Sequence, residues 1–307
     1  MELSGLIHSL PGAVAQGLIW GIMAIGVYIT YRILDFADLT VDGSFCTGGA
    51  VAAVLIAHGV NAFLALLLAL LAGMLAGLIT GLLHTAFGIP GILAGILTQL
   101  ALYSINMHIM NGKSNVTISR TKYDLLLTSA ANGRALLVGL AAVAVTIAVL
   151  YWFFGTSLGA TVRATGCNER MARAQGINTN CTKVLGLMIS NGFVGLSGAV
   201  LAQYQGNSDI NMGRGAIVIG LAAVIIGDVV LGRISNFAGR LGATVFGAVA
   251  YYLVLALVLW LGLNSMDLKL FSAATVAVFL ALPYIKNKYM KKKKAPAAGK
   301  DEPHAAA

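Results

Sequence analysis

The sequence predicts an all-α polytopic membrane protein with about nine transmembrane helices, within a range of about eight to ten. Hydrophobic residues make up 58% of the 307 residues and charged residues only 10%, whereas a soluble domain has about 25% charged residues. Mean hydropathy is +0.86. Long apolar runs recur along the chain, and each helical span of a hydrocarbon core about 30 Å thick needs about 20 such residues.

Eight apolar runs are long enough to cross a membrane, and a ninth is shorter. The ninth run, residues 44–57, follows the polar string LDFADLTVDGS. Its helical length is only about 21 Å, so it either continues through the polar string as a broken helix or re-enters without crossing. We count it as a span, because irregular backbone is tolerated where it is buried in protein or lines a cavity. The eight longer runs lie at residues 11–30, 61–83, 91–110, 136–154, 184–203, 215–231, 242–262 and 268–285.

The basic residues predict the orientation and the domain organisation. Nine spans with a cytoplasmic C-terminus place most of the 20 basic residues on the cytoplasmic side, as the positive-inside rule requires. Residues 1–285 form the transmembrane domain, and residues 286–307 are expected to be a disordered basic tail in the cytoplasm. The tail lysines supply most of the net charge of +9 and are suited to anionic membrane lipid, so no nucleic-acid partner is expected.

The chain has no visible catalytic, nucleotide-hydrolysing or metal-binding motif. Gly112, Lys113 and Ser114 resemble the end of a phosphate-binding loop, but that loop needs a glycine where Met107 stands. The histidines are scattered without metal-ligand spacing. We therefore expect neither an enzyme nor a bound cofactor or metal.

Glycines recur at every fourth residue on one apolar run, at Gly73, Gly77 and Gly81. Small residues at this interval let two helices approach closely. The series either packs within the chain or lies at a dimer interface, and packing within the chain is the favoured interpretation.

A polar block at residues 161–178, TVRATGCNERMARAQGIN, interrupts the hydrophobic sequence. Asn168 is a good N-cap, and Gly176 before an apolar residue is typical of a C-terminal stop. Glu169 and Arg173 carry the charges that favour the start and the end of a helix. The block predicts a capped helix of about two turns, which is either an ordinary solvated loop helix or a docking site for a soluble partner.

Three strings resemble the permease family of ABC importers that includes the branched-chain amino acid and ribose permeases. The first is the polar block, from Arg-Ala-Thr-Gly-x-Asn to Ala-x-x-x-Gly-Ile-Asn, with the Gly/Ser/Ala-rich span that follows from Asn191. The other two resemble a narrower branch that is usually found with a tryptophan/tyrosine-type binding protein. They are Asp38-Leu-Thr-Val-Asp-Gly-Ser and Ile217-Val-Ile-Gly-Leu-Ala-Ala-Val-Ile-Ile-Gly-Asp. The resemblance covers about residues 10–285.

The resemblance implies a type II-like importer permease that forms a homodimer in the bacterial cytoplasmic membrane. It implies two copies of a cytoplasmic ATPase, which bind ATP and Mg²⁺, and one extracytoplasmic binding protein that delivers a small solute such as an amino acid. It also implies that the polar block contains the coupling helix that docks in the ATPase. The residues carried over to that role are Gly166, Asn168, Glu169, Arg170, Met171, Ala172, Arg173, Gly176 and Ile177.

Two positions depart from the family pattern. Asp228 stands where the family often has glutamate, and Arg214 stands where it usually has an uncharged residue. Asp228 lies close in sequence to Arg233, which favours a structural ion pair. These departures concern local roles and not membership of the family.

Candidate residues for the solute path are polar side chains within or beside apolar runs. Gln99, Tyr103 and Asn106 share one helical face with Gly95, and such a stripe either lines a path or hydrogen-bonds to a neighbouring helix. A second group contains acidic residues, and acidic residues at membrane depth are candidates for a functional role. This group precedes the short ninth run and consists of Asp38, Thr40, Asp42 and Ser44. In the alternative interpretation, one of the last two residues simply caps a helix.

The loop at residues 111–133 is predicted to lie outside the cell. It is either a solvated loop or a docking site for the binding protein, where charges at the rim raise the association rate. The charged candidates are Lys113, Arg120, Lys122 and Asp124.

Two other classes of protein fit the sequence less well. A secondary transporter is expected to show internal repeats and paired broken helices, whereas only one interrupted run is visible. A polytopic membrane enzyme needs a catalytic cluster at a membrane face, and none is visible. Solute import driven by a separate ATPase is therefore the predicted function.

Overall fold

The protein is built almost entirely from α-helices. The computed structural model describes residues 3–118, 125–127, 132–232, 236–261, 270–279 and 281. A π-helical turn, Ile29–Ile33, continues the first helix. In chain order the helices are α1 (Leu3–Tyr28), α2 (Val41–Ala57), α3 (Ala62–Thr85), α4 (Gly91–Ile109), α5 (Asn132–Gly155), α6 (Ser157–Cys167), α7 (Glu169–Ala174), α8 (Thr179–Gln205), α9 (Ala216–Leu231), α10 (Phe237–Trp260) and α11 (Leu270–Phe279).

The predicted helical membrane fold is confirmed, whereas the exact count of nine spans stays a prediction. Within the described ranges, 6 segments are long and apolar enough to cross a membrane. The helices α2, α9 and α11 are apolar but shorter. The span predicted at residues 268–285 is described only at 270–279 and 281. The 6 long segments are Ser9–Ile33, Ala62–Thr85, Gly91–Ile109, Gly133–Gly155, Thr179–Gln205 and Phe237–Trp260.

A small antiparallel sheet joins two of the helices at one end of the bundle. Strand β1 (Asn115–Thr117) follows α4 and pairs with strand β2 (Asn207–Asp209), which follows α8. The C-terminal ends of α4 and α8 therefore lie at the same end of the bundle, and α7 precedes α8 at the other end. The sequence did not predict this sheet, because strands of three residues are too short for an alternating apolar pattern.

Helix α8 lies at the centre of the bundle and packs against α1, α2 and α3. The hydroxyl groups of Ser190 and Ser197 donate hydrogen bonds to carbonyl oxygens of α1, each at 2.7 Å. A Cβ added to Gly48 of α2 would lie 1.9 Å from the carbonyl oxygen of Gly195. Such close contacts and polar bonds hold helices together in a membrane, because lipid tails are as apolar as the side chains.

The glycine series of α3 packs against α8. A Cβ added to Gly73 would lie 2.2 Å from the carbonyl oxygen of Asn191, and one added to Gly77 would lie 2.3 Å from that of Leu187. Gly81 continues the contact one turn further along α8. The interpretation of this series as packing within the chain is confirmed.

Asp228, near the end of α9, forms an ion pair with Arg32 in the π-helical turn that continues α1. The Arg32 Nε and Asp228 Oδ2 atoms are 3.6 Å apart. Arg233, the partner expected from the sequence, lies outside the described residues. The observed pair joins two elements that are distant in sequence, which spacing alone does not reveal.

We expect Gly77→Ala to destabilise the protein. The added methyl group would overlap the backbone of α8 at Leu187, and overpacking of this kind costs about 1–3 kcal/mol. The thermal unfolding midpoint in detergent should therefore fall.

The matched control is Gly242→Ala within α10, where an added Cβ meets no neighbouring atom within 4 Å. This variant should keep the wild-type midpoint or exceed it slightly, because alanine favours helix over glycine. An equal loss of stability in both variants would contradict helix contact as the cause.

Candidate functional site

Two short helices begin inside the bundle and meet at Asp42. This residue lies in the first turn of α2, and its carboxylate accepts hydrogen bonds from the backbone N–H groups of Gly215 and Ile217, each at 2.9 Å. Both groups belong to the start of α9. A helix N-terminus carries unpaired N–H groups and partial positive charge, so one carboxylate stabilises the starts of two helices. Asp42 does cap a helix, but the helix is α9.

The two helices that meet at Asp42, α2 and α9, run in opposite directions. Ser44 of α2 bonds to Asn191 of α8, and later residues of α2 pack beside the last turns of α8, so these two helices are parallel. Helix α9 runs alongside α1, with Gly220 beside Val27 and with its end paired to the π-helical turn. Since α1 is antiparallel to α8, α9 is antiparallel to α2. From the sequence, only the short run that contains α2 is recognised as an interrupted span, and the one that contains α9 is not.

Three of the four acidic and hydroxyl candidates form a buried hydrogen-bond network around Asn191. The Asn191 side chain donates to Asp38 Oδ2 at 2.6 Å and accepts from the Ser44 hydroxyl at 2.6 Å. Asp38 is 2% exposed, and its Oδ1 accepts from the backbone N–H of Thr40 at 2.9 Å. Asp38, Thr40 and Ser44 therefore lie in the packed interior and fix the start of α2 to the middle of α8.

A chain of hydroxyl groups extends this network to two further helices. The hydroxyl oxygens of Thr40 and Thr80 are 2.7 Å apart, and Thr80 donates to Thr98 at 2.9 Å. Thr80 belongs to α3 and Thr98 to α4. The polar string before α2 is thus bonded to α3, α4 and α8 at once.

A cavity of about 270 Å³ lies between α2, α4 and the segment that leads into α9. Gln99, Tyr103 and Asn106 all line it, so the shared face expected from their spacing is observed. Arg214 also lines it, and the sequence reasoning did not place this residue in the path. The lining residues are Asp42, Gly43, Cys46, Gln99, Leu100, Tyr103, Asn106, Ile210 and Arg214.

The polar block forms the capped helix that its sequence predicts. Asn168 accepts a hydrogen bond from the backbone N–H of Met171 at 3.0 Å, which is the N-cap arrangement. At the other end Gly176 has a φ of +81°, and the N–H of Ile177 donates to the carbonyl of Ala172 at 3.1 Å. A glycine in the left-handed conformation, followed by a residue whose N–H bonds back to the last turn, is a common way for a helix to end. Helix α7 has 6 residues, and it is preceded by α6, which the sequence analysis did not separate from the block.

Glu169 fastens α7 to the first turns of α8. Its Oε1 lies 2.7 Å from Arg173 Nη2, and its Oε2 lies 2.8 Å from Lys183 Nζ. The Thr179 hydroxyl also donates to Oε1 at 3.2 Å. The hydrogen bond from Lys183 is the main reason that the pKa of Glu169 lies below its ordinary value.

The outer face of α7 is exposed. Arg170 is exposed and Met171 is 53% exposed, whereas Ala172 is buried. On the inner side, a Cβ added to Gly166 would lie 1.7 Å from the carbonyl oxygen of Ile33, so α6 rests directly on the π-helical turn. The unit formed by α6 and α7 is therefore braced against both α1 and α8.

Lys113 lies exposed beside the small sheet, at the opposite end of the bundle from α7. The other docking candidates, Arg120, Lys122 and Asp124, lie outside the described residues. In the part of the chain that the structure describes, no group of three or more His, Cys, Asp and Glu side chains is placed to hold a metal ion.

Comparisons with known proteins agree that the chain is similar to transport permeases. The model of a family described as branched-chain amino acid transport system / permease component matches residues 10–283. The Tyrosine transport system permease protein of Clostridioides difficile is 40% identical over 281 residues, which cover 91% of each chain. The Ribose import permease protein RbsC of Escherichia coli is 28% identical over 249 residues, or 79% of this chain and 75% of that protein.

A solved structure supports the fold. PsaBC from Streptococcus pneumoniae in complex with Fab matches with a TM-score of 0.54 at 16% identity, and the match covers 95% of this chain and 100% of that one. The family match spans nearly the whole sequence, and the relative at 40% identity spans nine-tenths of it. The chain therefore belongs to the branched-chain amino acid transport system permease family, whose members are the membrane subunits of ABC importers.

Proposed function

We propose that this permease forms the translocation path for an amino acid or a related small solute. A separate extracytoplasmic protein delivers the solute, and a separate cytoplasmic ATPase binds ATP and Mg²⁺. The relative from Clostridioides difficile is named for tyrosine transport, which favours an amino acid. The working assembly contains a second copy of this chain and two ATPase subunits in the bacterial cytoplasmic membrane, with the tail at residues 286–307 in the cytoplasm.

The observation that carries the proposal is the construction of α7. It has only 6 residues, of which Ala172 is buried, yet it is capped at both ends and bonded to α8 through Glu169. Its outer face, with Arg170 and Met171, is exposed. A rigid, exposed helix at one end of a membrane bundle is suited to dock in a groove of a soluble partner.

The buried network supports a route by which movement of α7 reaches the path. Helix α8 begins beside α7 and carries Asn191, which bonds to both Asp38 and Ser44 at the start of α2. Asp42, in the first turn of α2, holds the start of α9. Displacement of α7 therefore pulls on the junction of the two broken helices through contiguous hydrogen bonds and packed backbone.

We expect ATP-driven uptake to require contact between α7 and the ATPase. Arg170→Glu reverses an exposed charge and should leave folding intact. The variant should insert and dimerise as the wild type does, yet lose most of its co-purifying ATPase and most of its uptake in proteoliposomes that contain the ATPase and the binding protein. Gly176→Val should act similarly, because a β-branched residue is strained at positive φ.

Two results would contradict this assignment. Wild-type uptake in both variants would show that α7 is only a loop helix. Uptake by the permease alone, driven by an ion gradient without any ATPase, would contradict the proposed function itself.

We expect Lys113→Glu to affect the opposite end of the protein. Charges at the rim of an interface act mainly on the association rate and are screened by salt. The variant should reduce binding-protein-stimulated ATP hydrolysis at low ionic strength and approach the wild type at high ionic strength, while it retains its ATPase. Identical stimulation at every salt concentration would remove Lys113 from the docking surface.

The bond between α7 and α8 should depend on pH through Glu169. A carboxyl group whose pKa is lowered by folding stabilises the folded state above its ordinary pKa, and this stabilisation is lost as the pH falls through the lower, folded value. The thermal stability advantage of the wild type over Glu169→Gln should thus be constant above pH 4.5, the ordinary value for this group, and should shrink below it. An advantage that is unchanged well below this pH would show that the charge of Glu169 does not hold α7.

A further inference from the structure

We infer that the cavity between α2, α4 and the start of α9 is a binding site for a zwitterionic α-amino acid, with Arg214 bound to the carboxylate and Asn106 bound to the ammonium group. The inference rests on the proposed function, and it adds a recognition site within the permease itself. Three independent features of the cavity lead to it.

The first feature is an acceptor atom without a donor. Oδ1 of Asn106 is buried and has no hydrogen-bond partner among the described residues, and the residue as a whole is 1% exposed. A buried polar atom left in this way lowers the stability of the folded protein. Since Asn106 lines the cavity, an occupant whose N–H group reaches Oδ1 would recover the free energy lost by leaving this atom unpaired.

The second feature is the guanidinium group of Arg214, which joins no ion pair among the described residues. Arg214 is exposed at the cavity. Asp42 lies on the same wall, but its two oxygens already accept from the backbone of α9. The guanidinium group therefore remains available for a carboxylate, to which it is suited by its planar pair of donors.

The third feature is the size and the character of the remaining wall. Leu100 and Ile210 are apolar, and Tyr103 presents an aromatic ring that is partly exposed. A volume of about 270 Å³ lies just below the usual range of ligand pockets, which is about 300 to 1,000 Å³. The cavity therefore suits one amino acid with an apolar or aromatic side chain, which packs on Tyr103.

The test uses protection of a cysteine placed at the cavity. Leu100 is 65% exposed there, so the Leu100→Cys variant should react with a charged thiol reagent. Cys167 and Cys181, which are exposed elsewhere, are changed to serine, and the same protein without Leu100→Cys gives the background rate from Cys46. The full-length permease is assayed in complex with its ATPase in proteoliposomes, without ATP and without binding protein.

We expect L-tyrosine to slow alkylation of the Leu100→Cys variant. Tyramine lacks the carboxylate and 3-(4-hydroxyphenyl)propionate lacks the ammonium group, so each should need about a tenfold higher concentration for equal protection, as expected for one lost charge-assisted hydrogen bond. Equal protection by the three compounds would overturn the inference.

Substitutions in the site should reduce the differences in protection between L-tyrosine and the two compounds that lack one of its charged groups. Arg214→Gln should weaken protection by L-tyrosine about tenfold and leave protection by tyramine unchanged, whereas Arg214→Lys should restore part of the loss. Asn106→Leu should weaken protection by L-tyrosine and leave that by 3-(4-hydroxyphenyl)propionate unchanged. Unaltered protection by L-tyrosine in Arg214→Gln and Asn106→Leu would overturn the assignment.

The outcomes separate this site from the transport function. ATP-driven uptake without any protection by L-tyrosine would overturn the site and leave the proposed function standing. Protection that depends on Arg214, with no ATP-driven uptake, would support the site and contradict the proposed function. Protection by phosphatidylglycerol in the liposomes, with no effect of L-tyrosine, would assign the cavity to a lipid head group and overturn the inference.

Discussion

The bond between Asp42 and the start of α9 is the interaction on which the candidate site depends. Two helices that begin inside the bundle carry N–H groups that the helices themselves do not pair, and each such group left buried and unpaired costs several kcal/mol. One carboxylate, in the first turn of α2, satisfies two N–H groups of α9 and offsets the partial positive charge of both helix starts. The break in the two helices, and hence the cavity beside it, is possible because Asp42 is there.

The second constraint is the rigidity of α8. Its small residues let α2 and α3 come so close that their backbones touch it, and its serines bond directly to the backbone of α1. Helix α8 therefore links its first turns, where Lys183 binds Glu169 of α7, to Asn191 in its middle. Under the proposed coupling, a displacement of α7 is passed along this helix. The Asn191 side chain carries the bonds to Asp38 and Ser44.

The sequence predicts features that depend on residues close together in the chain, and it misses contacts between residues that are far apart in the chain. The caps of α7 follow from Asn168 and Gly176, because capping involves residues only a few positions apart. The apolar runs fall on the helices, because span length is also a local property. The partners of Asp38 and Asp42 lie 153 and 173 positions away, and no spacing rule connects them. The position of Arg214 beside α2 and α4 and the pairing of β1 with β2 also depend on contacts between residues that are distant in sequence.

Paired broken helices are also a feature of secondary transporters, in which helix N-termini face anionic groups of the substrate. Here the positive ends of both helices face Asp42, a group of the protein itself, so their charge is offset before a solute arrives. The guanidinium group of Arg214, which joins none of the ion pairs among the described residues, lies instead at the cavity, on the segment that leads into α9. Because that segment ends at the N–H groups held by Asp42, we expect a movement of the α2–α9 junction to change the position of Arg214 relative to Asn106 on α4. In the proposed mechanism, recognition of the solute by Arg214 and the displacement of α7 by the ATPase therefore both act on the carboxylate of Asp42.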